Sequence, residues 1–216
     1  MAGIIGSDES GKGDYFGPLV VAAVFVPEES LDVLSLLGVK DSKRLSDTKA
    51  LRLADELGQS YPNSIVAISP KRYNELYGKF GNLNRLLAWA HARAIENLLV
   101  AHEPKLILVD QFADPSVLKR ALFEKTRKNV LLQQVRAEEH PAVALASILA
   151  RSKFLVSLRQ LGEEFGLSLP KGASAEVEQT ARSFYQTFGL QGLHQVAKLH
   201  FKTTQRVVPP QAPQGV

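Results

Sequence analysis

The 216-residue sequence is 45% hydrophobic and 22% charged, an ordinary globular composition with enough apolar material for one substantial core. Its 26 Lys and Arg against 22 Asp and Glu give a net charge of +4, which permits a polyanionic partner without requiring one. The absence of cysteine excludes disulfide scaffolds, Cys-ligated metal sites and thiol catalysis. No secretory signal pattern and no run approaching 18 apolar residues is present, so we expect a cytoplasmic protein that does not enter a membrane.

Apolar patterns along the chain predict strands and helices in a definite order. Dense Val, Ile and Leu between turn residues predicts strands at residues 3–7, 19–26, 65–68, 106–110 and 130–135. Apolar residues at helical spacing predict helices at residues 46–58, from about 82, from about 141, at 175–188 and at 190–200. Antiparallel strands first and helix-separated strands later predict an α/β fold, with a mixed central sheet flanked by helices and a helical C-terminal part.

One domain is expected to cover residues 1–208. The sequence shows no internal repeat, and its only biased segment is the Pro- and Gln-rich end of the chain. Such a composition cannot bury enough apolar surface to offset the loss of chain entropy. We therefore predict that residues 209–216 form a disordered tail.

Four carboxylates stand at predicted strand ends and helix starts, where α/β sheets form ligand clefts. They are Asp8, Glu9, Asp110 and Glu138. Four acids in one cleft repel one another, and desolvation favours their protonation unless cations neutralise them. With oxygen ligands alone, Mg²⁺ or Mn²⁺ is the fitting ion, and two such ions can clamp the attacking and leaving oxygens of a phosphodiester. The pattern therefore predicts phosphodiester hydrolysis.

Each acid also has a plain structural explanation when it is taken alone. Asp8 and Glu9 could cap a turn, since adjacent acids are common in loops. Asp110 could cap a helix that follows its strand. Glu138, with its neighbour Glu139, could be a first-turn acid favoured by a helix dipole. Spacing alone leaves these alternatives open.

The loop after the first strand also permits a nucleotide-binding interpretation. Residues 6–12 fit the pattern G-x-x-x-x-G-K, and the strand ending at Asp110 resembles the metal-binding strand of a P-loop NTPase. Against this, Gly13 stands where the motif needs a Ser or Thr hydroxyl. The chain then enters a valine-rich strand through Pro18, whereas a P-loop opens a helix. A P-loop-like NTPase is therefore an alternative that two features of the sequence disfavour.

Taken together, the motifs resemble a known family. The segment Gly-Ser-Asp-Glu-Ser-Gly-Lys-Gly-Asp-Tyr-Phe-Gly-Pro at residues 6–18 resembles the opening motif of type 2 ribonucleases H. Its Gly-Lys-Gly, rather than Gly-Arg-Gly, is similar to the ribonuclease HIII branch. Further blocks follow in the family's order at residues 38–46, 82–91, 108–112, 137–151 and 196–202, the last of which resembles the final helix of the branch.

The resemblance implies a ribonuclease H-like fold, a two-ion Mg²⁺ or Mn²⁺ site, and endonucleolytic cleavage of the RNA strand of RNA/DNA hybrids. Carried over by position, the metal-binding and catalytic acids are Asp8, Glu9, Asp110 and Glu138. We favour Glu138 over Glu139 because it follows the basic-Ala pair Arg136-Ala137, as the family's acid does.

Substrate contacts follow from the same resemblance. RNA differs from DNA by a 2′-hydroxyl that backbone amides can read, and glycines let a main chain approach closely. The implied ribose-gripping loop consists of Ser10, Gly11, Lys12 and Gly13. The implied phosphate contacts are Ser42, Lys43 and Lys171. His91, on the apolar helix from about residue 82, is predicted to be a buried structural residue.

Branch features refine the expected activity. Ribonucleases HIII usually carry a separate substrate-binding domain before the catalytic one, but here the motif begins at residue 6, so we expect a catalytic domain alone. The sister HII branch carries a tyrosine that stacks at RNA-DNA junctions, whereas residues 164–172 contain Phe165 and no tyrosine. We therefore expect a preference for runs of ribonucleotides, with the hybrid as partner and no obligate protein partner.

A non-catalytic hybrid-binding module is a further alternative, although all four acids are present.

Overall fold

A five-stranded mixed sheet forms the centre of the computed structural model, which describes residues 2–39, 45–122 and 131–209. Its strands are β1 (Gly3–Ser10), β2 (Leu19–Pro27), β3 (Asn63–Ile68), β4 (Leu106–Asp110) and β5 (Leu131–Gln134). They lie in the order β3-β2-β1-β4-β5. The β1–β2 and β2–β3 pairs are antiparallel, while β1–β4 and β4–β5 are parallel. The predicted mixed sheet is confirmed.

Helices cover both faces of this sheet. They are α1 (Leu31–Leu36), α2 (Asp47–Gly58), α3 (Pro70–Phe80), α4 (Leu83–Leu99), α5 (Pro115–Ala121), α6 (Pro141–Phe165), α7 (Ala175–Val196) and α8 (Lys202–Val207). Alternate residues of β2 point to opposite faces, as strand geometry requires. Val20 and Val24 pack in a core with α2, α6 and α7, whereas Val21 and Phe25 pack in a second core with α3, α4 and α5.

The 25-residue α6 crosses the centre of the sheet at close range. Its first half is rich in Ala, and residues 142–150 are all buried. A Cβ on Gly6 of β1 would lie 2.4 Å from the carbonyl oxygen of Ala142, so only glycine permits this approach. Among the described helices, α6 alone has the length and apolar composition of a membrane span, but 61% of that stretch is buried inside the protein. The apolar surface of α6 is packed in the core of the protein.

The structure differs from the predicted elements in several places. The predicted strand at residues 3–7 extends to Ser10, and the helices α1, α3, α5 and α8 were not among those predicted. The predicted division between helices at residues 175–188 and 190–200 is confirmed, since α7 is interrupted at Gly189 (φ 64°, ψ −169°). The second part ends at Val196 rather than at residue 200, because Ala197 leaves the helix to form a β-bridge with Phe16. Accordingly, the block at residues 196–202 is largely non-helical. The tail beyond Pro209 lies outside the described residues.

Candidate active site

Two of the predicted acids lie inside the central strand rather than after it. Asp8 and Glu9 pair with Ala22 and Val21 of β2. Because successive strand side chains point to opposite faces, the two carboxylates meet different helices. Asp8 accepts a hydrogen bond from Ser147 of α6, whereas Glu9 contacts α4. The alternative that these acids cap a turn is thereby wrong.

The other two acids lie at the end of the neighbouring parallel strand. Asp110 is the last residue of β4, and the nearest following helix, α5, is capped by Asp114 instead, so the helix-cap alternative for Asp110 is wrong. Glu138 is not at the start of α6, as predicted, but in a short 3-10 turn (Ala137–Glu139) ahead of it. The left-handed backbone of Arg136 (φ 59°) directs the chain into this turn.

A cleft of about 410 Å³ brings three of the four acids together with the predicted substrate loop. Its lining consists of Asp8, Glu9, Ser10, Gly11, Lys12, Gly13, Asp110, Ser147 and Arg151. Glu138 does not line the cleft but shares a hydrogen bond with the Asp110 carboxyl group. The four predicted acids are therefore connected in space, although they are up to 130 residues apart in sequence.

The Asp8 carboxyl group is buried at 6% exposure, with an unusually high pKa. Burial is the largest cause and the negative charge of Glu9 is the next, and together they raise the pKa to about 7. Hydrogen bonds from the Ser147 hydroxyl and from the backbone N–H of Glu9, which lies 2.8 Å from Oδ1, only partly offset this shift. Without a cation, the site favours a protonated Asp8.

Asp110 and Glu138 form a second pair of neighbouring carboxyl groups whose negative charges repel each other. Burial, the charge of Glu138 and the hydrogen bond between the two carboxyl groups raise the pKa of Asp110. The backbone N–H of Ala137, 3.0 Å from Oδ1, acts in the opposite direction. Two carboxyl groups joined by a hydrogen bond must share a proton. The pair therefore favours a state with one proton on its two carboxyl groups.

Glu9 differs because it has cationic and hydrogen-bonding partners. Burial alone would raise its pKa, but His91 and Lys12 outweigh that effect and lower it. The Nε2 atom of His91 lies 3.2 Å from Oε2 of Glu9, and the Lys12 ammonium lies 3.4 Å from Oε1. On its other side, Nδ1 of His91 lies 2.8 Å from the hydroxyl of Ser7, and the ring stacks on Phe112.

His91 is fully buried, as predicted, and its contact with Glu9 goes beyond the structural role that was expected. The sequence did not show that it contacts Glu9, because 82 residues separate the two. A single histidine among the small and apolar residues of α4 was the available signal.

As the side chains lie, no three His, Asp or Glu residues within the described ranges are arranged to hold a metal ion. The chemistry of the donor set nevertheless fits one. Its oxygen-only carboxylates suit a hard divalent cation, and a bound cation would lower the pKa values of Asp8 and Asp110, which burial and neighbouring carboxyl groups raise. The residues that would hold it are Asp8, Glu9, Asp110 and Glu138.

The Gly-Lys-Gly loop forms one wall of the cleft. Gly11 has φ +85°, and a Cβ there would lie 2.2 Å from the carbonyl oxygen of Pro18, so glycine is required. Gly13 faces open space. From this loop the chain continues into β2 without opening a helix, so the helix N-terminus of a P-loop is absent here and the NTPase alternative is wrong.

Lys171 lies away from the acids, but an ion-pair chain links it to the cleft. Its ammonium is 2.5 Å from Oδ2 of Asp47, whose other oxygen is 2.7 Å from Arg151. The hydrogen bond from Lys171, followed by that from Arg151, lowers the pKa of Asp47 against the effect of burial. Arg151 lines the cleft, which the sequence did not indicate. Ser42 and Lys43 lie outside the described residues.

The mixed sheet with two acids on its central strand and a third on the adjacent parallel strand defines a ribonuclease H-like protein. The chain matches the ribonuclease HII family over residues 5–204, and it belongs to that family, the type 2 ribonucleases H. The predicted family resemblance is confirmed.

Known relatives agree in sequence and in fold. Ribonuclease HIII of Protochlamydia amoebophila is 44% identical over 94% of this chain and 68% of its own length. The crystal structure of Bst-RNase HIII in complex with Mn²⁺ is 34% identical, with a TM-score of 0.87 over 95% of this chain and 69% of that chain. The ribonuclease HII of Archaeoglobus fulgidus, solved in complex with PCNA, is 28% identical, with a TM-score of 0.80 over 97% and 98%. The chain thus spans about two thirds of the ribonucleases HIII that it resembles.

Proposed function

We propose that this ribonuclease H cleaves the RNA strand of RNA/DNA hybrids endonucleolytically, with two divalent ions held by Asp8, Glu9, Asp110 and Glu138. The observation that carries the proposal is the position of three of these acids in one cleft with the Gly-Lys-Gly loop. Membership of the ribonuclease HII family and the Mn²⁺ complex of Bst-RNase HIII support a metal-dependent nuclease.

Two ions are proposed because two divalent cations in a site of this kind can clamp the attacking and leaving oxygens of a phosphodiester. When bound, such ions activate a water molecule and polarise the scissile phosphate as Lewis acids. The protein's contribution is to orient the acids. The hydroxyl of Ser147 fixes Asp8, and His91 holds Glu9 from the opposite face.

Recognition of RNA is assigned to the wall of the cleft that faces the acids. Backbone amides of Ser10 to Gly13 can approach ribose closely, since Gly13 leaves open space where a side chain would lie, and they can bond 2′-hydroxyls. Lys12 and Arg151 line the same cleft and are proposed to contact phosphates. Ser42, Lys43 and Lys171 remain proposed phosphate contacts.

A preference for runs of ribonucleotides is proposed from the missing junction tyrosine. Phe165 stands in that stretch, but its ring packs on Phe184 and Phe188, with centroids 5.1 and 5.2 Å apart. It lacks a hydroxyl and is engaged in the core. Recognition is therefore assigned to several consecutive 2′-hydroxyls instead.

The test is cleavage of an RNA/DNA hybrid that is end-labelled on its RNA strand, with Mg²⁺ or Mn²⁺. We expect internal RNA fragments from the hybrid, none from RNA/RNA or DNA/DNA duplexes of the same sequence, and none in EDTA. Asp110→Asn should abolish cleavage while hybrid binding persists. Hybrid binding by the wild-type protein without cleavage in either ion would overturn the proposal in favour of a binding module.

A further inference from the structure

Lys198 is the only lysine or arginine that is buried in the part of the chain that the structure describes. Lysine is seldom buried without partners, because removing its ammonium from water is costly. It does not line the acid cleft and is not one of the proposed substrate contacts. Its side chain therefore needs a different explanation.

The ammonium of Lys198 is bound by main-chain carbonyls of one short stretch, residues 14–17, called here the rear segment. Nζ lies 2.7 Å from the carbonyl oxygens of Asp14 and Gly17, and 3.5 Å from that of Phe16. Three N–H groups thus meet three acceptors. Burial lowers the pKa of Lys198 to about 7, and the negative charge of Asp14 opposes this effect.

The chain around Lys198 also ties the rear segment by its backbone. The N–H of Lys198 donates to the carbonyl oxygen of Tyr15 at 2.8 Å, and the N–H of Gly17 donates to that of Val196 at 2.9 Å. The Tyr15 hydroxyl lies 3.1 Å from that of Thr204. A stretch near the end of the chain, distant in sequence, therefore forms the rear support of this segment.

The rear segment continues directly from the Gly-Lys-Gly loop. A Cβ on Gly13 would have no neighbour within 4 Å, and the residues that follow it are held by hydrogen bonds, to which Gly172 contributes through Asp14 and Tyr15. The ammonium of Lys198 binds three of the four carbonyls of the rear segment, and its backbone N–H binds the fourth, that of Tyr15.

We propose that Lys198 is a positioning residue, which holds the rear segment and thereby fixes the backbone of the Gly-Lys-Gly loop for contact with ribose. This inference rests on the proposed function, since it assigns to that loop the reading of RNA. Lys198 touches neither the acids nor the substrate and acts through the loop alone.

The test is Lys198→Met, which keeps the length and burial of the side chain but removes its N–H donors. Hybrid affinity in EDTA, measured by fluorescence anisotropy, should weaken about tenfold, the equivalent of about 1.4 kcal/mol. KM for the hybrid should rise correspondingly, with a smaller change in kcat. Mn²⁺ affinity measured by calorimetry should stay unchanged, because the acids lie on β1, β4 and the turn before α6.

Lys105→Met is the matched control, since Lys105 is exposed, pairs with Glu28 and precedes β4, at the opposite end of that strand from Asp110. This substitution should change neither the hybrid affinity nor the KM for the hybrid. If Lys198→Met does not fold, Lys198→Gln replaces it, because glutamine retains two N–H donors. Its KM for the hybrid should exceed the wild-type value, again with unchanged Mn²⁺ affinity.

Two outcomes contradict the proposal. A folded Lys198→Met protein with wild-type hybrid affinity and KM would show that the loop does not depend on Lys198. Parallel losses of Mn²⁺ and hybrid affinity would show general structural damage instead. Failure of the proposed function is distinguishable, because it appears in the wild-type protein as the absence of hybrid cleavage.

Discussion

Asp8 couples the stability of the metal-free protein to pH. Its pKa rises from 3.8 to about 7 on folding, through burial and then the charge of Glu9. The folded state therefore holds this proton more tightly than the unfolded chain, and stability falls as pH rises from about 4 to about 7. Asp8→Asn removes this loss, so its melting temperature in EDTA should exceed that of the wild type by more at pH 8 than at pH 5.

Differential scanning fluorimetry across this pH range measures the effect. Asp55→Asn, an exposed carboxyl group on α2, is the control and should shift little at any pH. A constant difference between Asp8→Asn and the wild type would show that Asp8 ionises without penalty. Hydrolysis by Asp8→Asn should fall by orders of magnitude, because a charged ligand is lost.

The adjacent glutamates 138 and 139 offer a matched pair. Glu138 is partly buried and shares a hydrogen bond with Asp110, whereas Glu139 is exposed. We expect Glu138→Gln to be nearly inactive and Glu139→Gln to cleave hybrid at nearly the wild-type rate. Initial rates at saturating Mg²⁺ test this, and the reverse order would transfer the fourth ligand position to Glu139.

At the scale of elements, the contact between β1 and α6 depends on one glycine. Gly6→Ala would place a methyl group 2.4 Å from the Ala142 carbonyl oxygen, and such overpacking costs about 1–3 kcal/mol or more. The melting temperature should fall clearly. Gly13→Ala is the control, since a Cβ there meets nothing within 4 Å, and equal melting temperatures for the two variants would contradict the close packing.

The ion-pair chain between α2 and the loop before α7 predicts a salt effect. If Lys171 contacts a phosphate, Lys171→Met should reduce the slope of log affinity against log salt by about 0.9, the value for one phosphate contact. Anisotropy titrations of a hybrid from 50 to about 200 mM salt give this slope. Lys105→Met should leave it unchanged, and an unchanged slope for Lys171→Met would place Lys171 outside the interface.

Elements buried on both faces were predictable because their apolar runs are continuous. The local sequence is enough to predict β2, β4 and the Ala-rich start of α6. Contacts between distant residues were not predictable: His91 meets Glu9, and Lys198 meets the rear segment, through the fold alone. Local signals also misplaced Glu138, since a left-handed residue at position 136 is not visible in the pattern.

At the scale of the whole molecule, the preferred substrate depends on how many consecutive 2′-hydroxyls the protein contacts. Duplexes with four consecutive ribonucleotides should be cleaved at least about tenfold faster than duplexes with one, because each further 2′-hydroxyl bond contributes about 1 kcal/mol. Rates on the two substrates at equal metal and salt concentrations test this. Comparable rates would contradict the preference for runs while leaving the nuclease activity intact.

The central strand carries Asp8 toward one helical layer and Glu9 toward the other, and this has a consequence for how the protein acquires activity during folding. Ser147 of α6 orients the first acid and His91 of α4 the second, so neither layer can assemble the centre alone. A chain with only one helical layer packed on the sheet would lack either the Ser147 or the His91 contact. We therefore expect the complete centre only when both layers are in place.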